Sequence, residues 1–197
     1  TLFRSFRLCH SVNDYATQYL GSALESLKRL SSLELLFSCC KGLGNSGLLH
    51  ISNPLKNLSS LLKLTLDFDL CELITDVGIK SMAASLSCLK NLASLYLEFN
   101  NCKSISDAGF NALALAIGNL SSIRTLYLNF SLSYSITNSS MASLAQTFEK
   151  LKLLTQVDLY FSKCTGVSDS SVKAIAFSLR GLQYLTKLTL EFKCSDQ

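Results

Sequence analysis

A phenylalanine returns every 31 residues along this chain. Phe6, Phe37, Phe68, Phe99, Phe130, Phe161 and Phe192 make up seven of its 11 phenylalanines, and no insertion or deletion breaks the series. Two residues earlier stand Leu35, Leu66, Leu97, Leu128, Leu159 and Leu190. Four residues earlier stand Leu33, Leu64, Leu95, Leu126, Val157 and Leu188. Only Arg4, two residues before Phe6, departs from the leucine column. A sequence periodic on this scale folds as stacked copies of one supersecondary unit, because a single unit cannot bury its own apolar faces.

Within each unit the hydrophobic period changes. The alternation Leu-x-Leu-x-Phe predicts a strand with one buried face. Further on, apolar residues recur at helical spacing, as in Phe110, Leu113, Ile117 and Leu120, and predict a short helix with one apolar stripe. Ahead of each stripe runs a polar pair: Asn13-Asp14, Gly44-Asn45, Thr75-Asp76, Ser106-Asp107, Thr137-Asn138 and Ser168-Asp169. Such side chains accept hydrogen bonds from the free N–H groups of a helix start, so the column is expected to cap helices. Equivalent strands, each followed by a similar return helix, must run parallel. The expectation is an α/β fold: one domain over residues 1–197, about six units, and a parallel sheet of about seven strands. The chain opens within a strand and stops five residues past Phe192, so it is expected to be a piece of a longer array.

The stretch from Leu92 to Gly109 has the form L-x-x-L-x-L-x-F-x-x-C-x-x-I-[ST]-D-x-G. It resembles a leucine-rich repeat and is similar to the cysteine-containing and ribonuclease-inhibitor-like classes, although 31 residues per unit is longer than those classes use. The resemblance implies a right-handed βα solenoid, curved into an arc, with strands on the concave side and helices on the convex side. It also implies a non-enzymatic scaffold for protein–protein interaction.

Chemistry-bearing residues offer little against that expectation. Five of the eight cysteines (Cys9, Cys40, Cys71, Cys102 and Cys164) lie three residues past the phenylalanine, where Ser133 and Ser195 also occur. Side chains stacked in parallel do not point at one another as disulfides require, so buried thiols in a reducing compartment, the cytoplasm, are expected. Cys39-Cys40 and the two histidines, His10 and His50, lack metal-ligand spacing, and no nucleophile–histidine–acid set is in phase. Gly47, Gly78 and Gly109 are repeat-phased and do not form a phosphate loop, so no cofactor is expected. The Asn-x-Ser sites at Asn57, Asn119, Asn129 and Asn138 are taken as coincidence in a serine-rich chain. A net charge of +4 is too diffuse to imply nucleic acid, and no apolar run approaches the roughly 20 residues of a membrane span.

Function is therefore sought in the columns that vary. Residues alternating with the buried leucines and phenylalanines point out of the sheet. Together with those just past the phenylalanines, they give a candidate partner-binding set: Glu34, Leu36, Asp67, Asp69, Tyr96, Glu98, Asn100, Tyr127, Asn129, Asp158, Tyr160 and Glu191. Tyrosines supply contact area at low entropic cost, and carboxylates offer charge-assisted bonds to Arg or Lys. A protein or peptide partner of basic character follows. Glu98 is expected to be replaceable at little cost to stability, as an outward-facing residue. Two alternatives stand beside this reading. One is the substrate-recognition arm of a ubiquitin ligase, which the Cys and Ser-Asp-Ala-Gly signature resembles. The other is a structural part of a large assembly that uses its ends, with Leu188, Leu190 and Phe192 at the C-terminal edge, or its convex face.

Overall fold

Alternation and helical spacing resolve into a strictly repeating chain path. The computed structural model describes residues 1–9 and 11–193; His10, Cys194 and Ser195 lie outside them. The elements are β1 (Leu2–Ser5), α1 (Asp14–Glu25), β2 (Ser32–Leu36), α2 (Asn45–Ser52), β3 (Lys63–Asp67), α3 (Asp76–Leu86) and β4 (Ser94–Glu98), followed by α4 (Asp107–Ile117), β5 (Thr125–Asn129), α5 (Asn138–Phe148), β6 (Gln156–Tyr160), α6 (Asp169–Leu179) and β7 (Lys187–Glu191). Helix α2 is short and gives way to a 3-10 turn at Asn53–Asn57. Pro54 sits there, and a proline cannot donate to or pack within a continuing α-helix.

The strands form one open parallel sheet in the order β1-β2-β3-β4-β5-β6-β7. Its register follows the repeat: Leu33 lies beside Leu64, Leu64 beside Leu95, Leu95 beside Leu126, and Leu126 beside Val157. The inward leucines and phenylalanines form one continuous core with the helix stripes. Within it the phenylalanine rings stack in a file from Phe6 to Phe192, with centroids 5.1 to 6.1 Å apart. Phe110 of α4 meets Phe130 and Phe161 edge-on. At the far end the ladder is open, and Leu188 is 45% exposed where its equivalents Leu64 and Leu95 are sealed.

After each of strands β1 to β6 the backbone turns through a left-handed residue that is never glycine: Leu8, Cys39, Leu70, Asn101, Leu132 and Lys163, with φ between 59° and 65°. Each donates its N–H across to the next unit, for example Leu70 to Asn100 O at 3.0 Å. The cysteine that follows turns its thiol inward. Cys40, Cys71, Cys102 and Cys164 are buried, and each Sγ donates to a phenylalanine carbonyl of the preceding unit at 3.2 to 3.3 Å. Burial pushes the Cys40 thiol up to about 11 and the Cys71 thiol up to about 12, so neither ionises readily.

The polar pairs divide the work between their two members. The first caps its own helix: Asn13, Thr75, Ser106 and Thr137 accept from N–H groups of the first turn. The second reaches sideways to the next unit, a role that capping does not cover. Asp76 accepts from Ser106 N, Ser106 Oγ and Gly109 N, and Asp107 accepts from Thr137 N, Thr137 Oγ1 and Ser140 Oγ. Asn45 and Asn138 do the same with an amide oxygen. Gly109 is needed here, because a Cβ would collide with the Asp76 carboxylate. One unit later Ser140 occupies the same phase and donates its hydroxyl instead. This file of acids and amides couples each helix start to its neighbour.

Candidate functional site

The outward face of the sheet is built from three columns in register. The first runs Glu34, Thr65, Tyr96, Tyr127, Asp158 and Thr189, and the second runs Leu36, Asp67, Glu98, Asn129, Tyr160 and Glu191. The third, beyond the phenylalanines, includes Ser38, Asp69 and Asn100. The sequence places these residues outward by strand alternation. Lateral packing then decides how much of each one solvent sees, and none of the 12 candidate residues is fully exposed.

Three of them are buried. Leu36 is 8% exposed, Asp67 5% and Asp158 3%. Asp67 is closed off because Arg7 Nη2 donates to its Oδ2 at 2.9 Å, Ser38 Oγ to the same oxygen at 2.5 Å, and Asp69 N to Oδ1 at 3.0 Å. Asp158 is held by Gln156 Nε2, with Lys187 Nζ at 3.8 Å. A buried carboxylate persists only with such partners. These two therefore serve the sheet's own cohesion first.

Glu98 is half-buried between two neighbouring strands. Asn129 Nδ2 donates to its Oε1, and the Tyr127 hydroxyl is hydrogen-bonded to it as well. Burial pushes its carboxyl up to about 7, and the nearby charges of Asp67 and Asp69 add to the rise. Glu98 is thus not the lightly held surface residue its alternation phase implied. Burial also raises Asp69, with the charge of Asp67 adding, while a bond from Asn100 Nδ2 at 2.8 Å opposes the rise. The Tyr127 hydroxyl is raised by burial and then by the charge of Glu98.

The tyrosines form a ladder. Tyr96 and Tyr127 stack with centroids 5.0 Å apart at an angle of 15°, and Tyr160 continues at 5.2 Å with a 40° tilt. The ladder stops at Tyr96, because its neighbour on β3 is the small Thr65. Beside that step opens a cavity of about 300 Å³, lined by Arg7, Glu34, Leu36, Thr65, Asp67, Tyr96, Glu98 and Tyr127 among others. Six of the 12 candidates converge there. Asn129, Asp158, Tyr160 and Glu191 lie farther along the sheet, where Glu191 accepts from Ser162 Oγ at 2.7 Å.

Four lining residues fall outside the candidate set: the core leucines Leu66 and Leu97, and the outward Arg7 and Thr65. Arg7 reaches the cavity from a position 60 residues before its partner Asp67, and no local pattern announces that pairing. Thr65 was legible in principle, as the one small side chain next to a bulky one in its column.

The sequence matches no protein-family model and no curated protein. Its fold is similar to the C-terminal domain of tropomodulin from Caenorhabditis elegans, at 13% identity and a TM-score of 0.61 over 84% of this chain and 92% of that chain. It is also similar to actin-binding site 2 of leiomodin-1, at 13% identity and a TM-score of 0.62 over 87% of this chain and 91% of that chain. At such identity the likeness is one of fold. The seven parallel strands alternating with six helices fit a leucine-rich-repeat architecture. Among the described residues, no helix is long and apolar enough to cross a membrane.

Proposed function

We propose that this chain is a non-enzymatic, intracellular protein-interaction domain of leucine-rich-repeat type. In this reading residues 1–197 form one domain of 31-residue units similar to the cysteine-containing class, the sheet lies on the concave side, and a protein or peptide of basic character docks across it. One observation carries the reading: a stacked tyrosine ladder ends in a cavity whose lining holds three carboxylates and one arginine. Ordered aromatic area beside unmatched charge is the composition of an interaction hot spot, where truncations cost about 2 kcal/mol or more. The solved fold that resembles it in leiomodin-1 is an actin-binding site, which makes actin the first purified protein to try.

The test compares wild type with the triple variant Tyr96→Ala, Glu98→Ala, Tyr127→Ala, using actin co-sedimentation and then partners captured by the wild-type chain. The variant should lose at least about 30-fold in affinity, the equivalent of about 2 kcal/mol. Undiminished binding by a variant with an unaltered circular dichroism spectrum and melt would overturn the sheet-face reading.

A further inference from the structure

Resting on that sheet-face reading, we propose that the cavity beside Tyr96 receives a single arginine side chain of the partner, with Tyr96 as its stacking wall and Glu98 as its counter-ion.

Shape comes first. One face of the Tyr96 ring is covered by Tyr127 at 5.0 Å, and the other lies on the side of Thr65, where the cavity opens. The space of about 300 Å³ is at the small end of ligand pockets, suited to one side chain. Leu36 and Leu66 give it apolar walls for a methylene stem.

Charge comes second. Glu34, Asp67 and Glu98 line the cavity against one cation, Arg7, so the lining carries a formal −2 when ionised. Arg7 is committed to Asp67. Among the described residues, Glu98 receives hydrogen bonds from the neutral groups of Asn129 and Tyr127, and no cation pairs with it. Among the described residues, no group of three His, Cys, Asp or Glu side chains is arranged to hold a metal ion. The matching charge is therefore a spread organic cation. A guanidinium is planar, stacks on an aromatic face and forks onto a carboxylate, which a compact ammonium does less well. Arg7 shows the chemistry in place: its guanidinium already rests on Asp67, another of the cavity's carboxylates, at 2.9 Å.

This arrangement makes capture depend on pH. Burial and the charges of Asp67 and Asp69 lift the Glu98 carboxyl to about 7, against the hydrogen bonds from Tyr127 and Asn129. Below that pH Glu98 is neutral and offers no counter-charge; above it the carboxylate is present. Between pH 6 and pH 8 its ionised fraction climbs from about 0.1 to about 0.9, so affinity for an arginine should rise about tenfold.

The experiment is an NMR titration of the whole chain with acetyl-Gly-Arg-Gly-amide at millimolar concentration, from pH 6 to pH 8. The uncharged citrulline peptide serves as control. The expected result is shifts at Tyr96 and Glu98, about tenfold tighter binding at pH 8, and no binding of the citrulline peptide. Glu98→Gln should bind no better at pH 8 than wild type does at pH 6. Thr65→Phe, which fills the cavity and leaves every charge in place, should abolish binding and serves if the glutamine variant fails to fold. No binding, a pH-independent affinity, or equal binding of citrulline would overturn the proposal. Failure here with partner capture still lost in the triple variant removes only the arginine site. Undiminished capture by the triple variant removes the sheet-face reading itself.

Discussion

Replacing Asp107 with alanine tests the sideways file that couples one unit to the next. The carboxylate accepts from Thr137 N at 2.8 Å, from Thr137 Oγ1 at 2.6 Å and from Ser140 Oγ. Hydrogen bonds to a charged group contribute about 1.5–3 kcal/mol each. The Thr137 hydroxyl is half-exposed and already accepts from Ser139 N, so its loss is largely recovered. The Ser140 hydroxyl is fully buried and has no such recourse, and the Thr137 N–H loses its acceptor at the helix start. Losing these two bonds gives a cost of about 3–6 kcal/mol for Asp107→Ala. Asp107→Asn keeps an acceptor oxygen, and Asn138 performs the same task one unit later. Its cost should be about 1 kcal/mol, the difference between a charged and a neutral acceptor at a helix start.

The pH dependence follows from the sign of the shift. Burial pushes the Asp107 carboxyl up, but the bonds from Ser140 and Thr137 outweigh it and hold the group below its ordinary value. A depressed folded value means its contribution is fully present above the unfolded value of about 4 and is lost as pH falls through the folded value. Wild type and Asp107→Asn should therefore begin to converge as pH falls below about 4, and the difference vanishes only below the depressed folded value. Urea denaturation from pH 7 down to pH 3 measures both quantities, and hydrogen exchange locates the loss at the junction of α4 and α5. Equal costs for Ala and Asn, or both under about 0.5 kcal/mol, would refute the coupling role.

Two further substitutions should stabilise the chain. The Ser133 hydroxyl is buried without a protein partner in a column where Cys102 and Cys164 donate to a carbonyl, since oxygen sits on a shorter bond than sulfur. Ser133→Cys should gain about 1 kcal/mol and raise Tm by about 2–4 °C in a thermal melt, and a neutral or lower Tm would deny the thiol column its bonding role. Lys163 is exposed at φ 61°, a conformation that costs a non-glycine residue about 1–2 kcal/mol. Allowing for the entropy glycine loses on folding, Lys163→Gly should gain about 0.5–1 kcal/mol in urea unfolding, with Lys163→Ala as the unchanged control.

How far these residues could be read in advance depends on the kind of neighbour each one has. Phe37, Phe68 and Phe99 recur without insertion, so the phase equivalent in the adjoining unit is necessarily the lateral partner of each. That arithmetic alone set strand direction, register, the ring stack and the helix starts. It also placed Tyr96 and Glu98 outward. Their burial depends on what lies across the columns, and there the repeat is silent. Asp67 is sealed by Arg7, 60 residues away and out of phase with it, and the cavity exists because Thr65 is smaller than Tyr96. Likewise Asp76 and Asp107 each directly follow an ordinary capping residue, and only the close approach of neighbouring helix starts turns them sideways. Periodicity determines which residues are neighbours. The sizes and charges of unlike neighbours, brought together only by the folded sheet, decide which of them bury, pair or leave a site open.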